Sequence, residues 1–134
     1  MRLSDLIRVS ALAGAFACVP VGNGVPTAVP NTDFELAVGS SARIEGSELS
    51  LKFENVTEDS RCPTDVQCVW EGNATMVFSA DSSGRTRPFE LRTAGTPPPA
   101  SVFGRLVEFR GLRPRPTSSS RPVPRDYVVT LRVR

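Results

Sequence analysis

The residue types that could do chemistry in this chain are concentrated around two of its three cysteines. Cys62 and Cys68 are separated by five residues, and Trp70, the sole tryptophan, follows directly. This spacing is too wide for a Cys-x-x-Cys redox motif, and the chain has neither a second cysteine pair nor any histidine to complete a zinc site. The pattern favours a disulfide that closes a loop. We expect Trp70 to lie on a buried strand after that loop, with its side chain beneath it.

Catalytic chemistry has little support in this composition. Because the 134 residues contain no histidine, triads that use imidazole as a base are impossible. The one lysine, Lys52, falls in the middle of a predicted strand, and no paired carboxylates with a recognisable signature are present. Gly-rich loops for phosphates or dinucleotides are absent as well. We therefore predict a protein without catalytic activity and without a cofactor.

The acidic residues near the cysteines allow one alternative, a calcium site. Its hard oxygen ligands would be the carboxylates of Glu58, Asp59, Asp65 and Glu71. Their spacing does not follow a calcium-binding loop, and acidic side chains that flank Arg61 are more often its counterions. We therefore predict no metal, and we expect Arg61 to form a buried fork with its acidic neighbours that fixes the base of the loop.

The N-terminus is typical of an export signal. Two arginines bracket a short polar start, and the apolar run that follows, residues 9–19, is too short to span a bilayer. Ala-Phe-Ala at residues 15–17 satisfies the small-x-small rule for cleavage before Cys18, and a cysteine after such a site resembles the lipidated cysteine of bacterial lipoproteins. We predict a signal peptide at 1–17 and a lipidated Cys18. Simple secretion and a misassigned start are the alternatives.

The odd number of cysteines agrees with this prediction. An odd cysteine in an exported protein needs an explanation, and lipidation of Cys18 would leave Cys62 and Cys68 as an even pair. The oxidising space outside the cytoplasm lets such a pair form a disulfide. The predicted location is therefore extracytoplasmic, in a bacterial cell envelope. A bridge across so short a loop restricts the unfolded chain by only about 2 kcal/mol, so we expect it to fix the shape of the loop.

Beyond the cysteines, the chain is organised as a tether and one domain. Residues 18–32 contain three prolines and no periodic pattern, which predicts a semi-extended tether. Residues 33–134 alternate apolar and polar side chains in short runs ended by turn residues. The predicted strands are Phe34–Val38, Ala42–Ile44, Leu49–Val56, Gln67–Trp70, Thr75–Ala80, Thr86–Thr93, Arg105–Leu112 and Asp126–Val133. We predict an all-β domain, either an antiparallel, Greek-key-like β-sandwich or a partly open barrel of about 7–8 short strands.

Proline marks two loops that interrupt the strands. Pro97–Pro99 forms a triple-proline run, and Arg113–Pro124 is a long basic loop in which proline prevents ladder pairing. Long irregular loops in compact domains are often binding elements, and tryptophan and arginine concentrate binding energy at interfaces. The candidate partner contacts are therefore Arg61, Asp65, Trp70, Arg113 and Arg115.

Charge is unevenly distributed along the chain. Residues 1–84 carry five basic and eleven acidic side chains, whereas residues 85–134 carry eleven basic and three acidic ones, so the halves sum to −6 and +8. The net charge of +2 predicts no nucleic-acid partner. The basic half favours attachment to anionic lipid headgroups as an alternative role. In a folded β protein the halves can interleave, which would let most of these charges pair.

The segment from residue 58 to residue 74 resembles a motif of uncharacterised bacterial exported proteins and lipoproteins. The matching residues are Asp59-Ser60-Arg61-Cys62-Pro63 and Cys68-Val69-Trp70-Glu71-Gly72. The resemblance extends over most of residues 33–134 and implies export and a β fold. It implies no catalytic residue.

Together these features predict an exported, lipid-anchored, non-catalytic module of the envelope with a binding or structural role. Its partner would be an envelope protein or surface ligand that the sequence does not identify. An alternative from another class is a small inhibitor of extracytoplasmic proteases. It would act through three stiff loops: the Cys62–Cys68 loop, Pro97–Pro99 and Arg113–Pro124. A further alternative is attachment to an anionic membrane surface through the basic half.

Overall fold

Residues 24–134 form nine β-strands, and the longer ones follow the alternation of apolar and polar residues in the sequence. A computed structural model describes residues 24–134, so the predicted signal peptide at 1–17, the predicted lipidation site Cys18 and the first part of the predicted tether lie outside the described residues. The strands are β1 Thr27–Ala28, β2 Asp33–Ala37, β3 Ser41–Ile44, β4 Ser50–Asp59, β5 Ala74–Ser82, β6 Arg85–Arg92, β7 Ala100–Val102, β8 Arg105–Arg113 and β9 Val128–Val133. Helical structure in this part of the chain is limited to one 3-10 turn, Pro124–Asp126. No helix there is long and apolar enough to traverse a bilayer.

The strands form two sheets that face each other. The first sheet has five strands in the order β1-β3-β4-β5-β6, and the second has four in the order β2-β9-β8-β7. Neighbouring strands pair antiparallel, except that β1 runs parallel to β3. The sheets do not close into a barrel. The predicted all-β sandwich is therefore confirmed, and the alternative of a partly open barrel is not.

A ladder of three phenylalanines crosses the first sheet at the centre of the core. Phe53, Phe78 and Phe89 are register neighbours on β4, β5 and β6, and successive ring centroids lie 5.0 Å apart. Stacked aromatic pairs of this kind add to the free energy gained by burial. The second sheet covers the ladder with a fully buried row from β9, which consists of Val129, Leu131 and Val133. The core thus follows the period-two pattern of the sequence.

One predicted strand, Gln67–Trp70, is wrong. Asp59 at the end of β4 pairs directly with Ala74 at the start of β5, so residues 60–73 form an excursion that leaves the sheet. Backbone hydrogen bonds from Ser60 N to Asn73 O, 2.7 Å, and from Cys62 N to Glu71 O, 2.9 Å, close the neck of this excursion. Residues 67–70 therefore lie outside the sheet and have no neighbouring strand with which to pair.

The ordered domain also includes part of the predicted tether. Thr27 and Ala28 form β1 beside β3, and Ala28 is only 5% exposed. Asn31 N donates to Val133 O at 2.8 Å and holds the following turn against β9. The small side chain of Ala28 fits at the edge of the core. The folded part therefore starts before residue 33, the boundary that the sequence predicted.

The two ends of the sandwich differ in character. At one end, which we call the turn end, tight turns at residues 45–48, 83–84 and 103–104 connect the strands. At the opposite end, which we call the loop end, the excursion 60–73 meets the long loop after β8. The candidate residues of the sequence analysis are found mainly at the loop end.

Candidate binding site at the loop end

The predicted disulfide is confirmed. Cys62 and Cys68 are bonded, with their Cα atoms 5.9 Å apart, and they close a loop directly after β4. The bridge lies within the excursion 60–73, so it divides that excursion into a closed loop and a returning segment. What this loop can bind depends on the contacts that fix its base and on the side chains that it exposes.

A buried ion pair fixes the base of the loop. Arg61 Nε donates to Asp59 Oδ1 at 2.8 Å and Arg61 Nη2 donates to Asp59 Oδ2 at 2.7 Å, which is a two-point fork. The side chains are only 8% and 10% exposed, respectively. The predicted fork is therefore present with Asp59, whereas Glu58 forms no ion pair with Arg61.

The same arginine ties the loop to the second sheet. Arg61 Nη1 donates to Leu112 O and Arg61 Nη2 donates to Pro114 O, both at 2.8 Å. On the other side, the hydroxyl of Tyr127 donates to Asp59 Oδ2 at 2.7 Å. Because these partners come from the end of β8 and the start of β9, the cluster joins the two sheets where the loop begins.

Electrostatics within this cluster favour an ionised Asp59 and a neutral Tyr127. Burial alone would raise the pKa of Asp59, but hydrogen bonds from Arg61 and Tyr127 together with the Arg61 charge outweigh it, so that pKa lies below its ordinary value. Burial and the bond to Asp59 raise the pKa of Tyr127 to about 12. The cluster is thus a satisfied structural network at neutral pH.

The closed loop leans on the long loop after β8. Thr64 N donates to Pro116 O at 3.0 Å. Asp65 Oδ1 accepts from Ser118 N at 2.7 Å, and Asp65 Oδ2 accepts from the Ser118 hydroxyl. These hydrogen bonds hold the pKa of Asp65 below its ordinary value. Asp65, predicted as a partner contact, therefore holds two loops together.

The returning segment depends on a glycine. Gly72 has φ of +69°, and a Cβ atom at this position would lie 1.9 Å from the carbonyl oxygen of Ser60. Only glycine fits this backbone approach. Directly before it, Glu71 Oε1 accepts from Gly95 N at 2.6 Å, which brings the segment before Pro97–Pro99 next to the disulfide loop.

Apolar side chains are exposed beside the disulfide, and we call them the loop tip: Val66 in the closed loop, and Val69 and Trp70 in the returning segment just after Cys68. Trp70 is 82% exposed, Val69 is 91% exposed and Val66 is also exposed. The prediction that Trp70 packs beneath the loop is wrong, because its side chain faces solvent, and the buried side chains at the base of the loop are those of Arg61 and Asp59. Exposed apolar residues that stand together on a fixed support are typical of interaction sites.

The remaining predicted contacts have structural partners. Arg115 Nη2 donates to Cys62 O at 3.3 Å, so it supports the loop from the side. Arg113 forms a half-exposed ion pair with Glu35, with 2.6 Å between Nη2 and Oε2. Of the five candidate contacts, only Trp70 has a side chain that forms no hydrogen bond or ion pair with another described residue.

Sequence reasoning missed two parts of this site. The role of Tyr127 in the buried cluster has no local signal, since Tyr127 is distant in sequence from Asp59. The exposure of Val69 did have a local signal in the sequence: two adjacent large apolar residues, Val69 and Trp70, break the alternation expected of a half-buried strand.

A cleft of about 670 Å³ lies beside the disulfide loop. Its floor contains Asp59 and Tyr127, and its walls are Pro63 and residues 116–122. The carboxylates considered for calcium do not converge on it: Asp59 is paired with Arg61, and Asp65 is bonded to Ser118. Within residues 24–134 no group of three acidic, cysteine or histidine side chains could hold a metal ion.

Comparison with protein-family models, with curated proteins and with solved structures gives no match for this chain. The fold and the loop end therefore define a class by their physical features. The class is a small β-sandwich that presents an apolar tip on a disulfide-closed loop. The family resemblance drawn from the cysteine motif stays a prediction.

Proposed function

We propose that this protein is an exported, lipid-anchored envelope module without catalytic activity, and that it binds a partner through the loop tip, the exposed apolar residues within and just after the disulfide loop. The observation that carries the proposal is the exposure of Trp70 and Val69 between two fixed points, the disulfide at Cys68 and the hydrogen bond from Gly95 N to Glu71 Oε1. The partner would be an envelope protein or a surface ligand with an apolar recess.

Rigidity of the support favours tight binding. A partner that binds a mobile loop must offset the entropy lost when the loop is ordered, whereas a fixed loop has lost that entropy on folding. The disulfide, the Arg61–Asp59 pair and the Asp65–Ser118 bonds all restrict this loop. Tryptophan is also the side chain that most often dominates interface energetics.

Export and anchoring rest on separate observations. A disulfide is compatible with a location outside the cytoplasm, where thiols oxidise. The sequence supplies an apolar start and Cys18 in the position of a lipidated cysteine. Intact mass of the protein purified from the membranes of its own host tests both. We expect loss of residues 1–17, an increment of diacylglycerol size, and a gain of two hydrogens on reduction. A full-length mass with three free thiols would contradict export.

Binding is tested by sedimentation with envelopes of the same host. Cys18→Ser removes the lipid, so that retention reports the domain alone. We expect Trp70→Ala to lower the affinity by about tenfold or more, as at other interface centres. Leu106→Ala is the matched control, because Leu106 is an exposed apolar residue at the turn end. Equal retention of the two variants would contradict a site at the tip.

A second candidate function, inhibition of an extracytoplasmic protease, is favoured by the grouping of loops. The disulfide loop is bonded to the Arg113–Pro124 loop through Asp65, and Glu71 is bonded to Gly95 just before Pro97–Pro99. The three loops named from the sequence thus lie side by side, which gives the edge that a wedge-like inhibitor needs.

The test is a titration of a trypsin-like and a papain-like protease with the purified protein. An inhibitor abolishes activity at a one-to-one ratio, and the double variant Cys62→Ser/Cys68→Ser loses this effect because the loop is no longer closed. Slow cleavage within residues 113–124 without inhibition would rule this function out and leave the binding module.

A further inference from the structure

Ion pairs neutralise part of the basic second half, and three of these pairs reach carboxylates of the first half, Asp33 and Glu35. Five of its eleven arginines pair with carboxylates, and the acidic partners are Asp33, Glu35, Glu108 and Asp126. The other six have no ion pair among the described residues, and two of these six, Arg85 and Arg87 on β6, lie over an aromatic ring. Within residues 24–134 neither of their guanidinium groups has an ion pair or a side-chain hydrogen bond.

Both guanidinium groups lie over one aromatic ring. The guanidinium carbon of Arg87 is 4.9 Å from the centroid of the Phe103 ring, and that of Arg85 is 5.8 Å from it. Arg85 and Arg87 lie on the same face of β6 as the buried Leu91, so they point toward the gap between the sheets at the turn end. Phe103 approaches from the second sheet.

The position of Phe103 is sterically unfavourable. The turn 103–104 between β7 and β8 has positive φ at both residues, 47° at Phe103 and 75° at Gly104. Asparagine or glycine is the usual residue at the first position of such a turn, and a bulky side chain there is an outlier. A side chain held in such a conformation points to a use for the group that it places. Here the ring becomes a platform for two arginines.

Stacking of this kind leaves hydrogen-bond donors free. A guanidinium that lies over a ring uses its face, while its N–H groups stay at the edge and can donate to an anion. Two like charges on one platform repel each other, so a bound anion that neutralises both is favoured. Arg105 lies on the same face of β8 as the buried Val107, which adds a third positive charge at this end.

We propose that Arg85 and Arg87, held over Phe103, bind a phosphate group. Phosphate suits the pair because it presents several oxygens to two forks. The phosphate is either a free anion or the phosphodiester of an anionic lipid headgroup. This site lies at the turn end and is independent of the proposed binding through Trp70.

Inorganic phosphate is the first probe, titrated into the ¹⁵N-labelled full chain with Cys18→Ser at constant ionic strength, with chloride as the reference anion. We expect saturable shifts of the Arg85 and Arg87 Nε–Hε signals and of the Gly104 amide. Arg87→Gln is expected to weaken binding by about tenfold to a hundredfold, as for a bond between charged groups. Arg87→Lys keeps the charge but not the fork. Its affinity for phosphate is expected to lie between those of the chain with Arg87 and of Arg87→Gln.

Arg92→Gln is the matched control, because Arg92 is an exposed arginine without an ion pair among the described residues and lies at the other end of β6. It is expected to change phosphate binding less than twofold. Equal effects of Arg87→Gln and Arg92→Gln, or shifts that chloride reproduces, would overturn the site.

Vesicles distinguish the two sources of phosphate. If the source is a lipid, vesicles of phosphatidylcholine with phosphatidylglycerol retain the Cys18→Ser chain, pure phosphatidylcholine vesicles do not, and Arg87→Gln abolishes the difference. If free phosphate saturates the site while the two kinds of vesicle behave alike, the ligand is a soluble phosphate. Absence of both kinds of binding would refute the proposal.

Discussion

Removal of the charge at Asp59 is expected to be the most damaging conservative substitution at the loop end. Asp59 Oδ1 accepts from the main-chain N and the Nε of Arg61, and Oδ2 accepts from Arg61 Nη2 and the Tyr127 hydroxyl. In Asp59→Asn one of these oxygens becomes an NH₂ group, so at least one N–H of Arg61 faces a donor in either orientation of the amide. The Arg61 charge also stays buried without its counterion.

The expected cost follows from burial. Breaking a buried ion pair by removing one partner costs about 3–5 kcal/mol. We expect Asp59→Asn to lower the free energy of unfolding by this amount, measured by urea denaturation followed by far-ultraviolet circular dichroism. With a slope of about 1–3 kcal/mol/M, the midpoint falls by at least about 1 M.

A matched control separates burial from charge alone. Asp33→Asn removes a carboxylate that pairs with Arg132 at 2.7 Å but is 40% exposed, and exposed pairs contribute about 0–1 kcal/mol. In a double-mutant cycle, Asp59→Asn and Arg61→Met are expected to be non-additive by at least about 1 kcal/mol. If Asp59→Asn costs no more than Asp33→Asn, or if the cycle is additive, the reasoning from the buried fork is refuted.

Three further predictions concern the same end of the sandwich, and all are measured as free energies of unfolding in urea. Gly72→Ala is expected to cost about 1–3 kcal/mol more than Gly46→Ala. The two glycines have φ of +69° and +72°, but only the first would place a Cβ atom against backbone. Equal costs would show that the close approach is relieved by a small shift. The free energy of unfolding is expected to fall as the pH rises from about 10 to about 12, more in the native protein than in Tyr127→Phe. The folded pKa of Tyr127 is raised from 10.0 to about 12, so its stabilising contribution is complete below the unfolded pKa and is lost across that window. Parallel pH profiles of the two proteins would argue against this. Reduction of the Cys62–Cys68 bridge is expected to cost about 2 kcal/mol, and Cys62→Ser/Cys68→Ser should reproduce the loss without a reductant. A loss of less than half that size would mean that the loop is already ordered by its other contacts.

Strands with clean alternation could be predicted from the sequence. The run from Leu49 to Phe53 and the run from Tyr127 to Val133 each place every second side chain in the core, and both are strands in the structure except at their outermost residues. β7 could not be predicted, because a strand of three residues next to prolines carries no periodic signal. Its turn is also hidden, since Phe103 stands where a turn residue is expected.

The site was predictable only where its contacts are local. Arg61 and Asp59 are two residues apart, so their pairing could be predicted from sequence proximity and charge. Leu112, Pro114 and Tyr127 join the cluster from sequence separations of 51, 53 and 68 residues, and no local pattern encodes such distances. The sequence predicts a buried Trp70 because large aromatic side chains are usually well buried, and only the tertiary structure shows that this one faces solvent.

The exposure of Trp70 also has a spectroscopic consequence. Since it is the sole tryptophan, all indole emission of the protein comes from one position at the tip of one loop. An indole that is already surrounded by water changes its emission little when the chain unfolds, but it shifts to shorter wavelength when an apolar surface covers it. The tryptophan emission of this protein is therefore expected to change little on denaturation and to report occupancy of the loop tip.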